Sequence, residues 1–289
     1  MKSFNLFPMV IAASIGLVSS SPILEARAAQ LEIVHQFPNF TWIENMAVRS
    51  NGEILGTDIS GSQIYLVDPH RTQTDPPVIA QFANGTRIAG IVEVQEDVFY
   101  VPSVQGDVYH FKFLPNATVV WESDATRKDL KSRFAKLLKF QRLPVKGARV
   151  EFGVNGVHVA NSVLYFINTD LGVLGKVPIS VDGILTGSPV NISTSVPAAD
   201  DFAMDSSGNF WVTENVRNTL VRVSPDGLVQ TIAGGSNSSD LFGPVAAVFG
   251  RGIHHHNTLY ISTDGLSVSG SGVSLTTNGK VVAIDTKGW

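Results

Sequence analysis

An all-β propeller is the fold this sequence predicts, and three observations predict it. The first is a hairpin written twice. Glu44-Asn45-Met46-Ala47-Val48-Arg49-Ser50-Asn51-Gly52-Glu53-Ile54-Leu55-Gly56-Thr57 and Asp200-Asp201-Phe202-Ala203-Met204-Asp205-Ser206-Ser207-Gly208-Asn209-Phe210-Trp211-Val212-Thr213-Glu214 each open on an acid, turn on glycine and return as a β-branched or aromatic strand. The second is period: the equivalent strand starts Asn45, Gly90, Gly156, Asp201 and Ala247 stand 45, 66, 45 and 46 residues apart, and a four-stranded unit repeating every ~45 residues reads as a propeller blade. The third is chemistry withheld. The chain has no cysteine and is 44% hydrophobic, so a large packed core, not disulfides, must hold it.

Taken in order, residues 1–29 read as a secretory signal: Lys2, an apolar run from Leu6 to Val18, then small residues ending Ala26-Arg27-Ala28. No later apolar stretch approaches the ~20 residues of a membrane span, so no stable span is expected once the signal is removed. The propeller domain occupies 30–289. Its first unit comprises Glu44–Arg49, Ile54–Thr57, Ile64–Asp68 and Pro77–Phe82, and its second Arg87–Val94, Val98–Val101, Val108–Phe113 and Thr118–Glu122. The third begins at Asn155 and continues with Val163–Asn168, Leu174–Ile179 and Val190–Val196. The fourth begins at Asp200, with Phe210–Thr213, Leu220–Ser224 and Leu228–Ile232. The fifth has Val245–Arg251, Leu259–Thr263 and Val281–Asp285, with Leu31–Phe37 predicted to supply its outer strand and clasp the ring shut. Phe99, Tyr165, Phe210 and Tyr260 hold matching second-strand positions and read as core between blades.

The long 66-residue interval holds 124–147, where Leu130, Phe134, Leu137 and Leu138 follow a helical period with lysines on the other face. This is a helical basic insert, and Arg149–Phe152 reads as the remnant of a lost blade. The expectation is therefore a propeller of the six-bladed type with five full repeats legible and one blade degenerate or lost. Net charge is −4, yet Arg127–Arg149 carries nine Lys/Arg against Asp129 alone. A solvated helix face explains that run better than nucleic acid does, given the secretory route. Five N-x-S/T sequons, at Asn39, Asn84, Asn116, Asn191 and Asn237, point the same way, to a glycosylated, secreted chain.

Chemistry is expected where strand starts converge on the axis. Glu44, Asn155 and Asp200 form an oxygen-only set there, suited to Ca²⁺ or Mg²⁺. The two acids can equally serve as proton donor and acceptor, one of them titrating high if they crowd, or simply hydrogen-bond strand ends around a channel. His254-His255-His256-Asn257 reads as a solvated turn, since adjacent histidines alternate faces. Asp170, Asp264 and Glu214 follow second strands and read as loop braces. No G-x-S-x-G and no phosphate-binding G-x-x-x-x-G-K-[ST] is present.

Glu44, Asn155-Gly156-Val157 and Ala199-Asp200-Asp201-Phe202…Asp205…Gly208…Trp211-Val212 resemble the senescence-marker-protein/gluconolactonase-like propellers. Phe249-Gly250-Arg251…Leu259-Tyr260-Ile261…Thr263 resembles the closing blade of their secreted fungal branch. For the metal-dependent members, the resemblance implies a divalent cation held by Glu44, Asn155 and Asp200, with Asp200 as base for lactone hydrolysis. The second-blade position where such members place a further polar contact reads Thr86-Arg87-Ile88-Ala89-Gly90, and a cation beside Arg87 is electrostatically disfavoured. The fungal branch also includes hetero-Diels–Alderases that join a quinone-methide tropolone or phenol to a humulene-type polyene. That resemblance implies no cofactor and a small hydrophobic substrate. Trp42, Phe152, Phe202 and Val245, with Asn155, would line the cavity. Arg87 would hydrogen-bond the developing oxyanion, and Glu44 or Asp200 would assist loss of water from a hydroxymethyl precursor. A divalent-metal lactonase and a non-catalytic ligand-binding propeller are the alternatives.

Overall fold

The computed structural model describes residues 29–38, 40–71, 74–114, 119–121, 153–252, 255–269, 272–275 and 277–289. After β1 (Leu31–Gln36) the chain lays down one antiparallel four-stranded sheet after another. Blade 1 is β2–β5 (Ile43–Val48, Ile54–Asp58, Gln63–Val67, Val78–Gln81). Blade 2 is β6–β9 (Val92–Gln95, Val98–Pro102, Val108–Phe113, Val119–Trp121), and blade 3 is β10–β13 (Val154–Ala160, Val163–Asn168, Val173–Pro178, Val190–Ser193). Blade 4 is β14–β17 (Ala199–Met204, Phe210–Glu214, Thr219–Val223, Val229–Gly234). Blade 5 takes β18 (Pro244–Phe249) and β19 (Thr258–Thr263), a separate hairpin of β20 (Leu266–Ser269) and β21 (Gly272–Leu275), and then β22 (Lys280–Asp285).

Strand order in blade 5 is β1-β22-β19-β18. The N-terminal strand therefore completes the C-terminal blade, and the ring closes through the β1–β22 ladder, Leu31 opposite Ile284 and Gln36 opposite Lys280. Five blades, not six, are present among the described residues, and the Asn215–Arg217 3₁₀ turn is their single helical element. The helical insert expected at 124–147 and the remnant expected at Arg149–Phe152 lie outside the described residues, as does the signal segment 1–28. The β20–β21 hairpin lies in the Ser- and Gly-rich stretch between β19 and β22, outside the strands the sequence predicts. Blade 2's inner strand is shorter than expected: only an isolated bridge, Ile88 to Ser103, precedes Val92.

The turns explain the repeats. In Arg49–Glu53, Ser103–Asp107, Ser180–Ile184, Asp205–Asn209 and Ser224–Leu228 the first residue's N–H donates to the fifth residue's carbonyl and the fourth residue's N–H returns to the first. The fourth residue is glycine each time, with φ between +74° and +92°, a left-handed position that a Cβ would strain. The core lies between blades. Leu55, Ile64, Phe99 and Phe111 fill the blade 1–2 seam, Ile167, Phe202 and Phe210 the blade 3–4 seam, and Trp211, Leu241 and Ile261 the blade 4–5 seam. Phe99, Phe210 and Tyr260 are buried as expected, and half-buried Tyr165 packs on Phe210 at 5.4 Å.

One irregularity recurs in every blade: the inner strand carries one residue more than its partner across the same stretch. Ile43 faces Asp58 and Asn45 faces Thr57, leaving Glu44 unpaired. The extra residue falls between Val154 and Val157, Ala199 and Phe202, Pro244 and Ala247, and Ile88 and Val92 in the other four blades. Buried hydroxyls cap three of these bulges. Thr57 Oγ1 accepts from Asn45 N at 3.1 Å, Thr213 Oγ1 from Asp201 N at 3.2 Å and Ser262 Oγ from Ala246 N at 3.2 Å. By this contact Ala246, not Ala247, is the counterpart of Asn45 and Asp201.

Thr213 also donates to the carbonyl of Val245 at 2.7 Å, joining blade 4 to blade 5. Replacing it by valine strands a buried N–H and a buried carbonyl, and the loss should be about 1–3 kcal/mol. Urea unfolding of Thr213→Val measures it, and an unchanged midpoint would show that the caps are dispensable.

Candidate functional site

A bulge places two successive residues where a regular strand would send them to opposite faces, and the axial residues exploit this. Glu44 and Asn45 stand together on β2, Asn155 and Gly156 on β10, Asp200 and Asp201 on β14. Asn155 Nδ2 donates to Asp200 Oδ1 at 2.6 Å, linking blades 3 and 4. Asn45 Nδ2 donates to Asp201 Oδ2 at 3.1 Å, linking blade 1 to blade 4 past the inner strand of blade 5. The axial ends of three blades are thus tied through side chains.

Gly156 makes this possible. A Cβ there would meet Asp201 Oδ1 at 2.4 Å and the Asp201 Cα at 2.7 Å. Asp201 is buried and collects three contacts: Asn45 Nδ2, its neighbour Phe202 N at 2.8 Å, and His158 Nε2 at 3.1 Å. Neither Asn45, Asp201 nor His158 stood out in the sequence as a site residue. The Asp200-Asp201 doublet is a visible signal for Asp201; nothing in the sequence marks His158, whose partner lies 43 residues away.

The acids above this layer crowd one another. Burial pushes the Glu44 carboxyl up to about 7, helped by the negative charges of Asp264 and Asp201 and opposed by the Trp42 indole N–H and the Arg87 cation. Glu44 Oε2 is buried without a hydrogen-bond partner among the described residues. Trp42 Nε1 is in the same condition: close enough to favour the carboxylate, it misses hydrogen-bond geometry. Asp200 lies well above the carboxylate range through burial, then the charges of Glu44, Asp201 and Asp264, against the opposing Asn155 hydrogen bond. Burial raises Asp264 to about 6 although Leu266 N and Asn215 Nδ2 donate to it at 2.7 and 2.9 Å. The expected brace role is visible in those bonds and in Asp170, which accepts from Gly153 N at 2.8 Å. Glu214 accepts from Thr219 Oγ1 at 2.6 Å and pairs with Arg217.

Glu44, Asn155, Asp200 and the charge of Arg87 are therefore gathered at one place. Arg87 itself is exposed, on the loop before β6, where its N–H donates to Gln105 Oε1. Trp42, Glu44, Asn155 and Asp200 are half-buried. Phe202 and Val245 are buried instead: Phe202 sits in the blade 3–4 core between His158 and Phe210, and Val245 is 2% exposed. Phe152 lies outside the described residues. His255 is half-buried and meets His70 edge to face at 4.9 Å, His256 is exposed, and His254 is outside the described residues. Of the sequons, Asn84, Asn191 and Asn237 are exposed, while Asn39 and Asn116 are outside the described residues.

Among the described residues no three His, Cys, Asp or Glu side chains gather as metal ligands. With the Asn155 amide oxygen as third donor, Glu44 and Asp200 still form a set that fits a hard cation in donor type, and the orphaned Glu44 Oε2 is the oxygen such an ion would satisfy. Arg87 opposes it.

No family model matches the chain. The chain is similar to two proteins provisionally named hetero-Diels–Alderases. One, from Sarocladium schorii, is 22% identical over 89% of this chain and 84% of that protein; the other, from a Phoma species, is 21% identical over 82% and 87%. Among solved structures it is similar to a luciferin-regenerating enzyme (TM-score 0.61, 12% identity, 90% of this chain and 96% of that one). It is also similar to a gluconolactonase from Xanthomonas campestris (TM-score 0.53, 14% identity, 92% and 93%). The structural likeness establishes the propeller fold.

Because the folded state holds the Glu44 proton more tightly than the unfolded chain, that stabilising contribution is complete below pH 4.5 and is lost as pH rises through about 7. Glu44→Gln cannot ionise. Its stability relative to the parent should rise across that window by on the order of 2 kcal/mol. Urea unfolding at pH 4.5 and pH 8 measures the difference; a gap independent of pH would place the carboxyl in water.

Proposed function

We propose that the chain is a hetero-Diels–Alderase, joining a quinone methide of tropolone or phenol type to a humulene-type alkene. The observation that carries this reading is the Glu44 carboxyl, whose Oε2 is buried and unpartnered among the described residues and which burial raises to about 7, beside Asp200 and within the field of Arg87. Such a site offers protons and hydrogen bonds, and with no cysteine in the chain it offers no thiol nucleophile. The likeness to two proteins named for this reaction supports the same class.

The chemistry divides into two steps. In the first, a hydroxymethyl tropolone or phenol loses water: Glu44 gives its proton to the departing hydroxyl, the C–O bond breaks, and the ring hydroxyl must surrender a proton as the exocyclic double bond forms. In the second, the ring oxygen and the methylene carbon each bond to one carbon of the alkene, with no atom lost. Here the protein supplies orientation and a donor, Arg87, for the oxygen that gains charge. Apolar surface for a hydrocarbon is available on the inner strands of blades 2 and 3, where Val92, Val94, Val157 and Val159 are 51%, 54%, 40% and 60% exposed.

A second reading is favoured by the orphaned Glu44 oxygen: a divalent-metal lactonase in which Glu44, Asn155 and Asp200 hold the ion. A cation there would polarise a lactone carbonyl. Asp200 would activate water.

Incubation with a hydroxymethyl tropolone and humulene, read by chiral chromatography, tests the leading reading. One stereoisomer should form faster than in buffer, with Glu44→Gln slower by about 10²-fold or more and activity indifferent to EDTA. A stereochemically mixed adduct at the uncatalysed rate, or lactone turnover abolished by EDTA and restored by Ca²⁺, would overturn it.

A further inference from the structure

Dehydration needs a proton acceptor as well as a donor, and one carboxyl cannot fill both roles in the same step. Resting on the reaction class proposed above, we propose that His158, held by Asp201, accepts the proton of the substrate's ring hydroxyl and then remains as the N–H donor to that same oxygen through the cycloaddition.

Hydrogen-bond accounting fixes the imidazole. Asp201 accepts from Phe202 N at 2.8 Å and from Asn45 Nδ2 at 3.1 Å, so its carboxylate is an acceptor to all it touches. The His158 Nε2 facing it at 3.1 Å therefore carries a hydrogen. In neutral His158, Nδ1 is then the acceptor; once charged, Nδ1–H is a donor. Nδ1 has no partner among the described residues, and the side chain is 41% exposed. The ring's plane is set from one side by Phe202, edge on at 4.6 Å. Burial works against charge on His158, but the charge of Asp201 and its hydrogen bond outweigh it and raise the pKa above the ordinary histidine value. Asp201, from β14, is the charged group bearing on the ring; β2 presents the neutral amide of Asn45. The imidazolium that forms when Nδ1 takes the proton is thus stabilised in place, the role a carboxylate plays behind a general-base histidine.

The step balances. The ring O–H proton goes to Nδ1, the Glu44 proton leaves in water with the hydroxyl, and solvent returns the imidazolium proton to the Glu44 carboxylate for the next turnover. His158 is the catalytic residue in this scheme, and Asp201 and Asn45 are positioning residues.

His158→Gln keeps an amide N–H at the Nε2 position for Asp201 but has no basic nitrogen. Two substrates separate the steps: the hydroxymethyl precursor, which must be dehydrated, and a quinone methide released photochemically from a caged precursor, each with humulene. The expected result is a kcat lower by about 10²–10⁴-fold with the hydroxymethyl precursor at little changed KM, while the released quinone methide still yields an excess of one stereoisomer. Asp201→Asn, which removes the charge behind the imidazolium, should lower the same kcat in the same direction. Turnover of the hydroxymethyl precursor by His158→Gln at the parent rate would overturn the assignment. So would equal loss with both feeds, which would mark a merely structural role. A parent protein that gives no stereochemical excess from either feed would overturn the reaction class and this assignment with it.

Discussion

The additional residue in each inner strand is the constraint on which the rest depends. In a regular strand Glu44 and Asn45 would face opposite sides, as would Asp200 and Asp201, and only one of each pair could serve the axis. The bulges let both members work, at the expense of a backbone N–H that the ladder no longer satisfies. Thr57, Thr213 and Ser262 restore that hydrogen bond from the second strand. Ring closure then sets which blades meet, and Gly156 removes the side chain that would stand where Asp201 sits. Geometry at the axis follows from these few positions more than from the bulk of the core.

Charge is distributed unevenly along the inner strands. Just past the end of β2, Arg49 is buried and paired with Asp97 at 2.9 Å and with Glu53, its guanidinium over the Phe113 ring. Just past β18, Arg251 pairs with Glu93 and donates to the Val48 carbonyl at 3.0 Å. Those acids have partners. At the axial end, the charge of Asp264 raises both Glu44 and Asp200 and that of Glu44 raises Asp200, and the one cation bearing on Glu44 is exposed Arg87. Leaving acids uncompensated where cations are used freely nearby is a local breach of stabilising rules, and such breaches concentrate at functional sites.

Much of this was legible in the residues. The turn glycines and strand alternation locate all five blades, and the leftover N-terminal strand predicts the clasp, because turn chemistry and period are local properties. Glu44, Asn155 and Asp200 could be read as axial because each opens a repeat. What escaped depends on contacts between distant segments. Phe202 flanks an axial residue in sequence, but its side chain turns into the seam between blades 3 and 4, and Val245 is buried. The β20–β21 hairpin alternates Leu266-Ser267-Val268-Ser269, but its strands are only four residues long and fall outside the four-stranded repeat. His158 sits mid-strand between two exposed valines, and only the approach of blade 4 supplies its carboxylate. The fifth blade's register was misjudged by one residue because alanine occupies both candidate positions.

A scaffold shared with a lactonase fold poses one question about Glu44 and Asp200: what compensates two buried carboxylates at the same point. A cation and a pair of protons are both physical answers. The Asn155 amide presents its N–H, not its oxygen, to Asp200 at 2.6 Å, and Arg87 adds positive charge from the second blade; both contacts act against a metal ion. Protons impose no such conflict, since a neutral Glu44 carries a hydrogen to give and Asp200 still accepts from Asn155. A site arranged in this way is poor at generating a hydroxide but well suited to moving one proton off a substrate and another onto its leaving group. A cycloaddition whose diene must first be made by loss of water asks for that proton traffic and afterwards only for orientation. Of the residues gathered at this point, Arg87 and the orientation of Asn155 weigh most for a pair of protons over a cation.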